Sequence, residues 1–111
     1  MIADFNLDPT RGSETGKIRP CIVVTNDVYN RRVPVVQVIP VTAWNEKKCR
    51  IAMNVELSPS TENGLTKLSI ADCLQTRPVD FAARCVQMRG RVDAATLTEI
   101  DTALRIVFGL G

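Results

Sequence analysis

Short apolar runs broken by turn residues fill most of the chain, and a three-and-four-residue apolar rhythm takes over only near its end. Ile2 to Asn6 predicts a brief first strand, and Asp8 to Gly16 (DPTRGSETG) is loop by composition. Cys21 to Thr25 (CIVVT) predicts a β-branched strand stopped by Asn26-Asp27. Val35 to Val41 (VVQVIPV) predicts another, apolar on both faces, which suits a strand covered on both sides. Ile51 to Leu57 alternates and runs into the polar loop Ser58 to Gly64 (SPSTENG). Lys67 to Leu74 and Ala83 to Met88 predict two more strands, with Gln75 to Asp80 as the corner between them. At the end, Leu97, Ile100, Leu104, Val107 and Phe108 recur at helical steps behind Asp93, a good N-cap, and before Gly109, a good stop. The pattern predicts a mainly β (α+β) domain over residues 1–111. It should be a small SH3-like β-barrel of five to seven short strands with a C-terminal α-helix.

Composition narrows the chemistry. Lys and Arg number 14 against 12 Asp and Glu, so the formal charge of +2 is too mild for a protein that coats duplex nucleic acid. Histidine is absent, which removes His-based triads, paired-imidazole ribonuclease chemistry and zinc sites that need imidazole. The cysteines Cys21, Cys49, Cys73 and Cys85 form no CxxC half-site, so no metal and no cofactor is expected. Cys21 and Cys73, each inside an apolar stretch, read as small buried hydrophobes. No secretory layout or membrane-length apolar run is present, and a cytoplasmic protein without membrane contact is the expectation.

A few residues stand out as candidates for chemistry. Arg19 precedes Pro20, which pushes it out of the helical region and holds it extended at the lip of the sheet. A five-donor fork on a stiff lip suits a phosphate, and a solvated arginine beside a turn is the plainer alternative. Thr42 ends the VVQVIPV strand, where its hydroxyl either donates to a phosphate oxygen or caps the strand end. Trp44, the single tryptophan, either stacks on an unpaired base or packs on a core edge. Glu14 shares a loop with Arg19 and could pair with it, while Gln75 and Arg77 flank the later corner as a possible site wall. Arg31-Arg32, Lys47-Lys48-Arg50 and Arg89-Arg91 are short basic clusters that read as solvated faces.

Taken in order, LDPTRGSETGKIRPCIVVTND (Leu7 to Asp27), VIPVT (Val38 to Thr42), LSIADCLQTRPVD (Leu68 to Asp80) and the final IVFGLG resemble the MazF/PemK/Kid family of toxin endoribonucleases. The likeness runs from about Ile2 to Leu110. It implies a dimerising SH3-like barrel that cleaves single-stranded RNA at short specific sequences without a metal. It also implies inhibition by a cognate antitoxin whose disordered tail covers the RNA groove, with operator DNA met only through that complex. The arginine of the family's RP motif falls on Arg19 and the threonine of its P-[VIL]-T motif on Thr42, the usual catalytic pair. Arg11, Glu14, Asn26, Trp44, Gln75 and Arg77 are then the expected RNA-binding residues.

The chain departs from the family pattern in three places. The first strand begins several residues late, Ser13 stands where some relatives carry a basic or aromatic residue, and Leu74 replaces the acidic residue before the corner glutamine. With that carboxylate missing, Glu14, Asp72 or water is left to take the proton from the attacking 2′-hydroxyl, and slow turnover is expected. The scheme gives a 2′,3′-cyclic phosphate and a 5′-hydroxyl. Two rival readings remain: a non-catalytic toxin of the same barrel that inhibits a protein such as DNA gyrase, and a nuclease-dead relative that only binds antitoxin or DNA.

Overall fold

The structure, a computed structural model, describes residues 1–25 and 32–110. Asn26 and Arg31 therefore lie outside the described residues. Among the described residues seven strands form one largely antiparallel sheet: β1 (Ile2–Asn6), β2 (Ile18–Val23), β3 (Val35–Ala43), β4 (Asn54–Leu57), β5 (Ser69–Asp72), β6 (Arg77–Asp80) and β7 (Cys85–Gly90). Their order is β4-β5-β3-β2-β1-β7, with β6 also paired to β3. The curled sheet leaves β4 and β7 unpaired with each other, so the small barrel-like fold is not closed.

Strand alternation sends apolar residues to both faces, as the pattern of β3 predicts. Ile2, Ile22, Ile39 and Val41 join one core, closed by Ile100 and Ala103 of the C-terminal helix. Their alternates Ala3, Phe5, Cys21, Val23, Val36 and Val38 join a second core, where Phe5 meets Phe81 edge to face at 5.7 Å. That helix spans Ala94–Phe108. The Asp93 carboxylate accepts from Thr96 N at 2.7 Å, and Gly109 ends the helix at φ 67, a conformation that favours glycine. Ala103 and Ile100 are buried, with Leu104 and Val107 packed against that core, whereas Leu97 and Phe108 stay exposed. The expected stripe is thus narrower than its spacing implied.

Several element boundaries move for identifiable reasons. The Ile51–Leu57 strand starts only at Asn54, because Ile51 N bonds Lys48 O and Asn54 N bonds Ile51 O in a turn. The preceding loop holds a one-turn helix, α1 (Glu46–Cys49), capped by Asn45. The Lys67–Leu74 strand shortens to Ser69–Asp72, and Cys73–Gln75 winds into a 3₁₀ turn. The presumed corner contains a strand, β6, lying antiparallel to β3 from Val35 to Val38. Ala83 and Arg84 belong to a second one-turn helix, α2 (Phe81–Arg84), capped by Asp80, so β7 begins at Cys85. The Ala94–Phe108 helix is α3.

Candidate functional site

Two prolines explain where the sheet opens. Val24 N donates to Gln37 O across β2 and β3, while Val23 N donates to Met1 on the β1 side. By alternation, the even-numbered residues of β2 turn their backbone groups toward β3. Pairing runs Val23↔Val38, Ile22↔Ile39, Cys21↔Pro40. The next rung needs an N–H from Pro20, which has none, and the ladder stops there. Pro40 turns its nitrogen the other way, into the gap between the last β6 pair at Val38 and the first β5 pair at Val41. Each proline thus sits where a ladder donor is dispensable. The same β2–β3 register, continued two residues past its last pair, sets Arg19 opposite Thr42.

Beyond that point β2 and β3 border a cleft of about 330 Å³, lined by Arg19 and Thr42 with Pro20, Val41, Leu65, Thr66, Lys67, Ser69 and Arg89 among others. Among the described residues no carboxylate lines it, whereas three cationic side chains do. That lining is cationic and suits an anion. Arg19 is half-buried, and its Nε donates to Gly16 O at 2.9 Å, which leaves Nη1 and Nη2 without a partner among the described residues. Thr42 is 8% exposed, and its Oγ1 is buried with no hydrogen-bond partner. A buried hydroxyl without a partner costs about 1–3 kcal/mol, so this one is a debit to the fold.

The loop beside Arg19 is tied down from several directions. Asp8 Oδ1 accepts from Lys17 N at 2.9 Å, and a Cβ on Gly16 would sit 2.6 Å from that same oxygen, so a larger residue there would have to displace the Asp8 side chain. Glu14 turns its carboxylate to Arg11 N at 2.7 Å and forms no ion pair with Arg19. Gln75 accepts from Thr15 N at 3.2 Å and donates to Ser13 O at 3.5 Å. Arg77 Nη1 donates to Leu7 O at 3.1 Å. Gln75 and Arg77 therefore grip the loop that supplies Gly16 O, the acceptor that orients Arg19.

The structure brings Arg19 and Thr42 together in one cleft; Arg11, Glu14, Trp44, Gln75, Arg77 and Asp72 do not line it. Trp44, 37% exposed, follows the end of β3 two residues past Thr42. Asn26 lies outside the described residues. Sequence reasoning missed Lys67 and Arg89, and the reading of Arg89 as part of a solvated face is corrected. Its Nε donates to Asp4 Oδ1 at 2.6 Å and its Nη1 to Gly64 O at 2.9 Å. The pairing of β1 with β7 brings Asp4 to Arg89 from the other end of the chain. Lys47, Lys48 and Arg50 do sit on the exposed turn of α1, where Arg50 pairs with Glu46. Burial pushes the Cys21 thiol up to about 12 and the Cys73 thiol up to about 11, so both are neutral core groups. Among the described residues no group of three or more Cys, Asp or Glu side chains is placed to hold a metal, and no helix is long and apolar enough to cross a membrane.

Comparison with known proteins agrees over almost the whole chain. The family described as PemK-like, MazF-like toxin of type II toxin–antitoxin system matches residues 2–108. Endoribonuclease MazF9 of Mycobacterium tuberculosis (strain ATCC 25618 / H37Rv) is 35% identical over 110 residues, covering 95% of this chain and 90% of that protein. Endoribonuclease EndoA of Bacillus subtilis (strain 168) is 30% identical over 105 residues, covering 95% and 88%. A solved endoribonuclease from a mycobacterial species, in complex with its cognate antitoxin, superposes with a TM-score of 0.77 at 22% identity, covering 99% of this chain and 92% of that one. The chain belongs to the family of PemK-like, MazF-like toxins of type II toxin–antitoxin systems.

Proposed function

We propose that this chain is an endoribonuclease toxin that cuts single-stranded RNA at short specific sequences by attack of the RNA's own 2′-hydroxyl. The observation that carries the reading is the carboxylate-free cleft in which Arg19 keeps both Nη groups unpaired beside the unpartnered hydroxyl of Thr42. A phosphodiester supplies the negative charge and the acceptor oxygens that these groups lack.

RNA brings its own nucleophile, so the protein has to align the backbone and stabilise the charge on phosphorus. Arg19 acts as an electrostatic clamp on the scissile phosphate. Thr42 Oγ1 donates to one non-bridging oxygen. The 2′-oxygen loses its proton, forms a bond to phosphorus and displaces the 5′-oxygen, which takes a proton from solvent water as it leaves. Neither Glu14 nor Asp72 lines the cleft, so water accepts the 2′ proton and turnover is slow. The products are a 2′,3′-cyclic phosphate and a 5′-hydroxyl. The same reading includes a homodimer formed by the single domain of residues 1–111, a cognate antitoxin that neutralises it, and a cytoplasmic setting.

The test is to incubate purified protein with a long RNA in excess EDTA and map the cut ends. A second RNA then carries a 2′-O-methyl group at the mapped site. Cleavage in EDTA that this methyl group abolishes supports the proposal. Cleavage that requires added divalent metal, or that ignores the methyl group, refutes it. Intact RNA together with inhibition of DNA gyrase would move the chain to the non-catalytic reading.

A further inference from the structure

We infer that Arg89 is a second phosphate-binding arginine of the cleft, taking the phosphate next to the one at Arg19, with Asp4 as the residue that positions it. The inference rests on the RNA-cleaving reading above. Arg89 borders the same cleft as Arg19 and Thr42, yet it is held by a different set of partners. Asp4 Oδ1 accepts from Arg89 Nε at 2.6 Å, and Gly64 O accepts from Nη1 at 2.9 Å. Nη2 has no partner among the described residues, and the side chain keeps 23% of its surface exposed. Arg19 is oriented by Gly16 O and Arg89 by Asp4 and Gly64 O, so two independently fixed guanidinium groups line one cleft. One phosphate has two non-bridging oxygens, which Arg19 and Thr42 occupy. Arg89 Nη2 is left for the neighbouring unit of a chain that repeats its charge at every nucleotide.

The cost of the anchor points the same way. Asp4 is 5% exposed, set opposite Pro20 on β2 and Gln87 on β7. Its second oxygen accepts from Gln87 Nε2 at 2.6 Å, so both oxygens are committed. A buried ion pair rarely beats a pair of apolar residues of the same volume for stability. What it does supply is a guanidinium whose direction is set before the ligand arrives. Lys67, exposed on the same cleft wall, adds charge without such a fixture.

The test uses an RNA oligonucleotide carrying the mapped cut sequence and 2′-O-methylated throughout, so that it binds without being cut. Two variants are compared with the wild type. The double change Asp4→Asn with Arg89→Gln removes both charges and leaves a hydrogen-bonding pair. Arg89→Lys keeps the charge beside Asp4 but loses the fork. The double variant is expected to bind at least tenfold more weakly at 0.1 M salt, with a log affinity against log salt slope shallower by about 0.7, the value of one phosphate contact on a single strand. On cleavable RNA its KM rises by more than its kcat falls. Arg89→Lys keeps the wild-type slope and raises KM severalfold; if the double variant does not fold, this KM decides alone. Wild-type affinity and slope in the double variant, an unchanged KM in Arg89→Lys, or a fall in kcat at unchanged KM each overturns the assignment. A wild-type protein that neither binds this oligonucleotide nor cuts the unmodified RNA overturns the RNA-cleaving reading with it.

Discussion

Replacing Thr42 by valine separates what this residue does for the fold from what it does for the reaction. Oγ1 is buried and unpartnered in the free protein, so the wild type carries a desolvation cost of about 1–3 kcal/mol that a methyl group of similar shape removes. With an unfolding entropy of ~2.1 cal/mol/K per residue, each kcal/mol moves the Tm of a chain this size by about 4 °C. Thr42→Val should therefore melt about 4–12 °C higher by calorimetry. Its single-turnover RNA cleavage should fall by about 10²–10³, the usual result of losing one oxyanion donor. Thr42→Ser keeps the donor and should retain most of the cleavage, while losing about 1 kcal/mol for the missing methyl. A valine variant that melts below the wild type would show that the hydroxyl already stabilises the free protein. Cleavage within threefold of wild type would remove Thr42 from the mechanism.

Other expectations test the surrounding structure. A Cβ on Gly90 would lie 2.0 Å from Glu62 O, a backbone atom that cannot swing aside, so Gly90→Ala should destabilise by about 1–3 kcal/mol in urea titration; an unchanged midpoint would contradict the packing of β7 on the Ser58–Gly64 loop. Exposed Cys49 should react with a thiol reagent at pH 8 in the native protein, while Cys21 and Cys73, raised by burial, react only on unfolding; rapid native labelling of either would contradict their core placement. The Asp93 carboxyl is held below its ordinary value of 3.8 by the backbone hydrogen bond from Thr96. Its contribution is therefore present above 3.8 and lost as pH falls through the lower native value, and the Tm advantage over Asp93→Asn should shrink there. An advantage that persists unchanged to pH 2 would contradict the charged cap.

How much of this was legible in the sequence depends on the distance over which each feature is decided. The ends of α3 were legible because Asp93 and Gly109 act on their own turns through a side-chain cap and a left-handed φ. Arg19 stood out because it precedes Pro20, and Thr42 because it closes the Pro40-Val41-Thr42 stretch that matches a family motif. Strand β6 was not, since four residues opening with Arg77-Pro78 carry no apolar rhythm and become a strand only by pairing with β3. Gln75 and Arg77 looked like a wall of the site, but nothing local reveals that their hydrogen bonds end on the loop around Ser13, Thr15 and Leu7. Arg89 reads as surface in a basic run until β1 brings Asp4 against it from the other end of the chain.

The most direct test of the central claim is the rate at which Arg19→Ala cuts a long RNA in EDTA, measured beside wild type with the fold of both checked by circular dichroism. The account predicts a folded variant that cuts about 10²–10³ more slowly, because the fixed cation at the scissile phosphate is gone. A folded variant that cuts at the wild-type rate would contradict it.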